Sequence, residues 1–176
     1  MGLVYIASVT ASASATVSFT TGIGSTYNEY QFHFVNMHPS VDSDIFRFQV
    51  NASGQTGFNE IMTTTVFRAY HTEANATSLA YQRFEDQAQG AGYQTLGISS
   101  SDADTAVSGV LTLYDPSSTT YVKHFLARSN GTHGSNISQD FYAAGYINTT
   151  SAIDEISFKF GSGNIDEGSI HMYGVG

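Results

Sequence analysis

Apolar and polar residues alternate with a period of two along most of this 176-residue chain. In EYQFHFV, Tyr30, Phe32 and Phe34 alternate with Gln31 and His33. The same alternation is present in ATVSFTT, DIFRFQV, EISFKF and SIHMY. Successive side chains of a β-strand point to opposite faces, so each of these segments is predicted to be a strand with one buried face.

The remaining segments extend this pattern over the whole chain. Further strands are predicted at LVYIASV, IMTTTVFRAYH, VSGVLTLYD, YVKHFLAR and FYAAGYI, with turns at STYN, NASGQTG, YDPSS and RSNGTHGSN. Short strands separated by polar turns favour an all-β fold, an antiparallel β-sandwich that is most simply jelly-roll-like. The sequence has no internal repeat and no linker, which predicts a single β-sandwich domain over residues 1–176. Residues 79–89 leave two alternatives open, a short helix or a long loop that carries a strand.

The stretch AIDEISFKFGSGNIDEGSIHMYGVG contains two alternating runs joined by SGN. It predicts a strand over 153–160, a turn through GSGN, and a strand over 168–174 that returns beside the first. Gly161 and Gly163 fit this turn because glycine takes a positive φ at little cost.

Charge and composition exclude several classes of site and of binding partner. The chain has no Cys, which excludes disulfides and thiolate metal sites. Its formal net charge is −9 with six Lys and Arg residues, so it lacks a basic stripe for phosphates and is not expected to bind nucleic acid. No stretch approaches the roughly 20 consecutive apolar residues of a membrane-spanning helix, and no membrane partner is expected.

The motifs of common enzymes are absent from the sequence. It has neither GxSxG nor HExxH, and its six histidines are scattered. We therefore expect no enzymatic activity, no catalytic residues, no metal site and no cofactor. The pairs Asp42/Asp44 and Asp102/Asp104 are compatible with a structural Ca²⁺, because loop carboxylates are the ligands that Ca²⁺ prefers.

Aromatic residues are the strongest remaining candidates for binding. Eleven Tyr and twelve Phe exceed what the core of one sandwich needs. A tyrosine in a loop offers a flat apolar ring and a hydroxyl group to a sugar or to a protein interface. The candidate residues are Tyr27, Tyr93, Tyr114, Tyr121 and Tyr142. The alternative is that most of them pack locally against neighbouring strands.

The closing stretch also resembles a motif of virion proteins from tailed bacteriophages, especially marine and cyanobacterial phages. In that motif an Ile-x-x-Ile-x-Phe strand leads through Ser-Gly-Asn-Ile to Gly-x-Ile-x-x-Tyr-Gly. Here these positions are filled from Ile153 to Gly174. SGVLTLYDPSSTTYVKHFLAR and ASATVSFTTGIGSTYNEYQFHFVNM are similar to the same family, so the resemblance spans most of the chain.

The resemblance implies a non-enzymatic virion structural protein, made in the host cytoplasm and located on the particle. Similar domains often lie at the C-terminus of long tail-fibre or structural polypeptides. Here the first predicted strand begins next to Met1, which favours an exterior capsid decoration or accessory protein over a fibre. The resemblance implies self-association, with a trimer preferred, and contacts with other virion proteins. The alternatives are a tail-fibre or tail-tip module that recognises host-surface glycan, and a polysaccharide-cleaving enzyme.

Overall fold

The computed structural model of the chain describes residues 2–134 and 136–176; Met1 and Ser135, the latter in the predicted turn RSNGTHGSN, lie outside the described residues. Within those ranges the chain forms thirteen strands and no helix. The strands are β1 Leu3–Thr10, β2 Val17–Phe19, β3 Glu29–Pro39, β4 Asp44–Ala52, β5 Met62–Thr72, β6 Thr77–Tyr81, β7 Ala88–Gly90, β8 Gln94–Ser99, β9 Val107–Tyr114, β10 Lys123–His133, β11 Ile137–Ile147, β12 Ile153–Phe160 and β13 Ile165–Val175.

The strands form two antiparallel sheets. The large sheet has the order β1-β13-β3-β9-β10-β11-β5-β6, and β7 also pairs with β5. The small sheet has the order β2-β12-β4-β8. The two sheets pack face to face as a sandwich, which confirms the predicted all-β antiparallel sandwich. The strand order is compatible with a jelly roll.

The core lies between the sheets and is rich in phenylalanine. Phe32 and Phe34 of the large sheet point inwards and are buried against the small sheet. The ring of Phe32 lies 5.8 Å from that of Phe158, and the ring of Phe34 lies 5.3 Å from that of Phe46. The predicted inward faces of these strands are therefore confirmed. Ala15 is an exception, because it is exposed before β2 begins.

The predicted hairpin in the closing stretch is wrong. β12 lies in the small sheet, where it pairs with β2 and β4. β13 lies in the large sheet between β1 and β3. Residues 161–164 therefore carry the chain from one sheet to the other instead of turning it back. Gly163 has a positive φ of 62°, whereas Gly161 does not adopt that conformation.

The buried side chain of Asp44 determines where the chain crosses between the sheets. Its carboxylate accepts hydrogen bonds from the backbone N–H groups of Gly161 at 3.0 Å and Ser162 at 2.8 Å. It also accepts the hydroxyl of Ser162 at 3.0 Å. Phe160 and Ile165 are buried on either side of this turn. Asp44, one of the acidic residues considered for Ca²⁺, thus satisfies the backbone N–H of Ser162 and shares that of Gly161 with the carbonyl of Ile45.

The predicted turn RSNGTHGSN is largely strand. Residues 128–133 continue β10, and the bend follows them. Ser129 and Gly131 face the small sheet, where the hydroxyl of Ser129 donates to the carbonyl of Leu96. A Cβ atom at Gly131 would meet the carbonyl of Ile98. The small residues here allow the two sheets to approach closely, which sequence composition alone does not distinguish from a turn.

Residues 79–89 form a loop that carries strand residues, one of the two alternatives left by the sequence. They include the end of β6 and the start of β7. Between these strands the N–H of Glu85 donates to the carbonyl of Gln82 at 3.0 Å, closing a turn.

Replacement of Phe158 by Ala should lower the free energy of unfolding by about 3–5 kcal/mol, because it removes a fully buried ring from the centre of the core. Denaturant unfolding of both proteins measures the difference. Phe84→Ala is the matched control: Phe84 is 84% exposed, and its loss should change stability by no more than about 0.5 kcal/mol. Equal losses in the two variants would contradict the assigned core.

Candidate functional site

The outward side of the central strands of the large sheet is the candidate site. Phe125 and Ala127 of β10 point into the core, so alternation directs Leu126 and Arg128 away from it. The neighbouring strands place further large side chains on the same side. We call this surface the open face and define it by Phe67, Val110, Tyr114, Leu126, Tyr142 and Tyr146.

The open face is continuous because its residues lie opposite one another in the strand registers. Phe67 of β5 pairs with Tyr142 of β11, and Tyr142 pairs with Arg128 of β10. The rings of Phe67 and Tyr142 lie 5.9 Å apart. Phe67 is 42% exposed and Leu126 is 53% exposed. The large sheet therefore keeps large apolar side chains exposed to solvent on this face.

Two depressions lie on either side of Leu126, with volumes of about 410 and 460 Å³. Thr65 and Ala144 line both of them. Ala144 lies between Thr65 and Leu126 in the registers of β5, β11 and β10. These small side chains form a low row between larger aromatic ones. A ligand, or a side chain of a partner protein, can therefore fit into these depressions without any rearrangement of the sheet.

A polar triad lies at one margin of the open face. The guanidinium of Arg128 contacts the carboxylate of Asp140 at 2.8 Å and lies 5.1 Å from the ring centre of Tyr142. The hydroxyl of Tyr142 donates to the same carboxylate at 2.9 Å. This hydrogen bond raises the pKa of Tyr142, and the contact with Asp140 also raises the pKa of Arg128. The triad fixes the orientation of the Tyr142 ring and leaves the face locally neutral.

The structure brings two of the five candidate tyrosines together. Tyr114 and Tyr142 both line the 410 Å³ depression of the open face. Tyr27 packs edge-on against the buried Tyr30 at 5.8 Å. Tyr93 lies beneath the ammonium group of Lys159, 4.3 Å from the ring centre. Tyr121 is 70% exposed in the segment between β9 and β10 and lines neither depression of the open face.

The adjoining part of the large sheet carries two histidines in register. His33 of β3 lies directly opposite His171 of β13, and the His33 ring is 4.9 Å from that of Tyr173. Burial, followed by the nearby His171, lowers the pKa of His33. In the part of the chain that the structure describes, no group of three or more His, Asp or Glu residues is placed to hold a metal ion.

A separate depression of about 530 Å³ lies at one end of the sandwich. Asp102, Asp104, Glu73, His71 and His133 line it. Asp102 accepts the hydroxyl of Ser100 at 2.9 Å, and Glu73 accepts the side-chain amide of Asn136 at 3.0 Å. Most of the side chains that line this depression are polar, so covering them removes less apolar surface from water than covering the open face does. The structural Ca²⁺ considered for Asp102 and Asp104 stays a prediction.

Comparison of the chain with family models, curated proteins and solved structures found no match. Across residues 2–134 and 136–176, no helix is long and apolar enough to span a bilayer.

Sequence reasoning missed four residues of the open face, Phe67, Val110, Leu126 and Tyr146, and the adjoining Arg128. The signal in the sequence is a large apolar residue at a position where strand alternation would place a polar one. In KHFLARS, both Phe125 and Leu126 are large and apolar, although only one of them can face the core. An apolar residue in the polar phase of a strand indicates an outward surface that is kept apolar.

Replacement of Asp140 by Asn should lower the pKa of Tyr142, because the variant loses the carboxylate that stabilises the neutral phenol. Tyrosine-labelled NMR measures the titration, with the Tyr142 signal assigned from a Tyr142→Phe variant. Asp166→Asn, a carboxylate change on β13, is the control and should leave the Tyr142 titration unchanged. An unaltered Tyr142 titration in Asp140→Asn would show that the triad does not form.

Proposed function

We propose that the chain is a non-enzymatic structural protein of a phage virion, an exterior capsid decoration or accessory protein held by self-association and by packing on the particle. The open face is the observation that carries this proposal. It is wide, shallow and preformed, which suits a partner protein surface better than a small substrate.

The balance of charge and exposure supports packing as the mechanism. The chain carries a formal charge of −9, yet the charged residues of the triad, Arg128 and Asp140, neutralise each other. Exposed apolar side chains on a neutral patch release water when a complementary surface covers them. A decoration protein occurs in many copies on a symmetric lattice, so a modest contact in each copy gives firm attachment overall.

The sequence supports the phage origin through the resemblance of residues 153–174 to the closing motif of tailed-phage virion proteins. Under this proposal the chain is made in the host cytoplasm and becomes part of the virion. Its partners are other virion proteins and further copies of itself. The resemblance favours a trimer, which light scattering of the purified protein tests by its mass.

Antibody-labelled electron microscopy of purified particles of the parent phage should place the protein on the outside of the head. Label confined to the tail would favour the receptor-binding alternative. Absence of label from both head and tail would overturn the virion proposal.

Leu126→Thr should weaken binding of the purified protein to particles that lack it, because threonine keeps the strand propensity of β10 but removes apolar area from the open face. Cosedimentation with the particles measures the bound fraction. Val41→Thr is the control, since Val41 is also exposed but lies in the turn between β3 and β4. Equal binding of the two variants would show that the open face is not the attachment surface.

Recognition of host-surface glycan is the second candidate. The specific observation in its favour is that Tyr114 and Tyr142 share one depression with the hydroxyl-bearing residues Thr65 and Thr112. An aromatic ring can stack on the apolar face of a sugar while hydroxyl groups of the sheet bond to its edge. The same face would then contact the host instead of the particle.

Tyr142→Ala should reduce binding of host-surface polysaccharide at least about tenfold if the open face binds glycan, a loss that matches removal of one stacking contact and its hydrogen bond. Calorimetric titration with purified polysaccharide measures this. Tyr121→Ala is the control, because Tyr121 is exposed but lines neither depression of the open face. Polysaccharide that does not bind the wild-type protein, or that binds both variants equally, would exclude this candidate.

A further inference from the structure

Strand β6 is an open edge of the large sheet. Among the described residues it pairs with β5 and with no other strand. All five of its residues, Thr77–Tyr81, are exposed, and Leu79 is 73% exposed. Its sequence TSLAY contains neither a charge nor a proline, the two features that most often protect a sheet edge from pairing.

The hydrogen bonds at the two ends of β6 show which of its backbone groups face outwards. The N–H of Gln82 donates to the carbonyl of Val66, and the carbonyl of Ala76 accepts the N–H of Thr72. Even-numbered residues therefore direct their backbone groups to β5. In an antiparallel ladder these directions alternate, so the N–H and C=O groups of Thr77, Leu79 and Tyr81 point away from the sheet.

The other sheet edges are protected in ways that β6 is not. β1 contains a bulge between Tyr5 and Ala7. β2 and β7 have three residues each, and Gln89 in β7 has a positive φ of 55°. β8 is buried, and its Leu96 carbonyl accepts the hydroxyl of Ser129 from the large sheet. β6 alone combines exposure, regular pairing geometry and neutral charge in the described residues.

We infer that β6 pairs antiparallel with β6 of a second copy of this chain, with Leu79 of one copy opposite Leu79 of the other. This inference concerns the protein in solution and does not depend on its place in a virion. A two-fold contact closes with two copies, so this dimer and the trimer that the resemblance favours are alternatives, which the measured mass distinguishes. The two large sheets join into one continuous sheet across a two-fold axis.

The register follows from the positions of the outward groups. Pairing centred on Leu79 places Thr77 opposite Tyr81 of the second copy and uses the outward groups of all three residues. It forms about six inter-chain hydrogen bonds, two for each bonded pair. Pairing centred on Thr77 or Tyr81 leaves part of the strand without a partner. The symmetric register is therefore the one that satisfies most of the exposed backbone.

The side chains of this register also favour a second copy as the occupant. Leu79 and Tyr81 lie on the same side of the sheet as Phe67 of the open face, since Tyr81 pairs with Phe67. The two-fold axis places the two Leu79 side chains next to each other and removes both from water. In a chain with a net charge of −9, a contact between identical surfaces is least opposed where the pairing strand itself carries no charge, as in TSLAY; the carboxylate of Asp86 beside it accepts the hydroxyl of Tyr81.

Self-association should appear as a concentration-dependent rise in mass from 18.9 kDa to twice that value in sedimentation velocity. Hydrogen exchange gives a residue-level readout. Protection of the Leu79 and Tyr81 amides should increase with protein concentration, whereas the Ser78 and Ala80 amides, already bonded to β5, should change little. A protein that stays monomeric at high concentration, or amides that do not respond to concentration, would overturn the inference.

Charge variants at position 79 test the register itself. Leu79→Lys alone and Leu79→Glu alone should each weaken the dimer at least about tenfold, because each places two like charges opposite each other. An equimolar mixture of the two variants should restore the dimer, since Lys then faces Glu. Circular dichroism confirms that each variant is folded before its mass is compared.

Leu3→Lys is the matched control, because Leu3 is an exposed leucine on the opposite edge strand, β1. It should leave the dimer intact. A dimer that survives both Leu79 variants, or that Leu126→Thr disrupts in their place, would assign self-association to another surface. A trimer whose mass does not respond to the Leu79 variants would likewise overturn the edge contact.

Discussion

The interlocking of phenylalanine rings between the two sheets is the constraint on which the rest of the structure depends. Phe46 of the small sheet contacts Phe34 of the large sheet at 5.3 Å and stacks on its neighbour Phe158 at 6.0 Å, with an interplanar angle of 13°. These rings fill the space between the sheets and fix which phase of each strand faces inwards. The opposite phase must then face solvent. The open face is thus a consequence of the core, since Leu126 can point outwards only because Phe125 points in.

The small sheet covers only part of the large sheet. Where β8 lies over the large sheet, glycine permits a separation that a side chain would not allow: a Cβ atom on Gly97 of β8 would lie 2.9 Å from the side chain of Val107 and 3.0 Å from the hydroxyl of Ser129. The neighbouring Ser129 bonds directly to a carbonyl of β8. Beyond the strands that β8 contacts, the large sheet continues through β5 to β6, which buries none of its residues. The outward backbone groups of Thr77, Leu79 and Tyr81 therefore lie at an edge that the small sheet leaves uncovered.

Sequence alternation predicted the fold class and most inward-facing residues, because period two is imposed locally by strand geometry. It failed where the outcome depended on distant partners. The alternation in residues 153–174 predicts a hairpin, because sequence does not reveal that Asp44, far away in the chain, binds the backbone of Gly161 and Ser162. For the same reason, the sequence predicts only part of the candidate site. Tyr114 and Tyr142 were among the candidates, but only strand register shows that they share a surface with Leu126.

The position of β13 has a consequence for the order of events during synthesis. This strand lies between β1 and β3, although most of the chain separates it from both. β12 is likewise the partner of both β2 and β4 in the small sheet. Neither sheet can close until residues 153–175 have left the ribosome, and the long loops that must then be closed make folding slow. In the interval β1 and β3 lack the partner strand that they share, and unpaired strand edges of this kind favour aggregation.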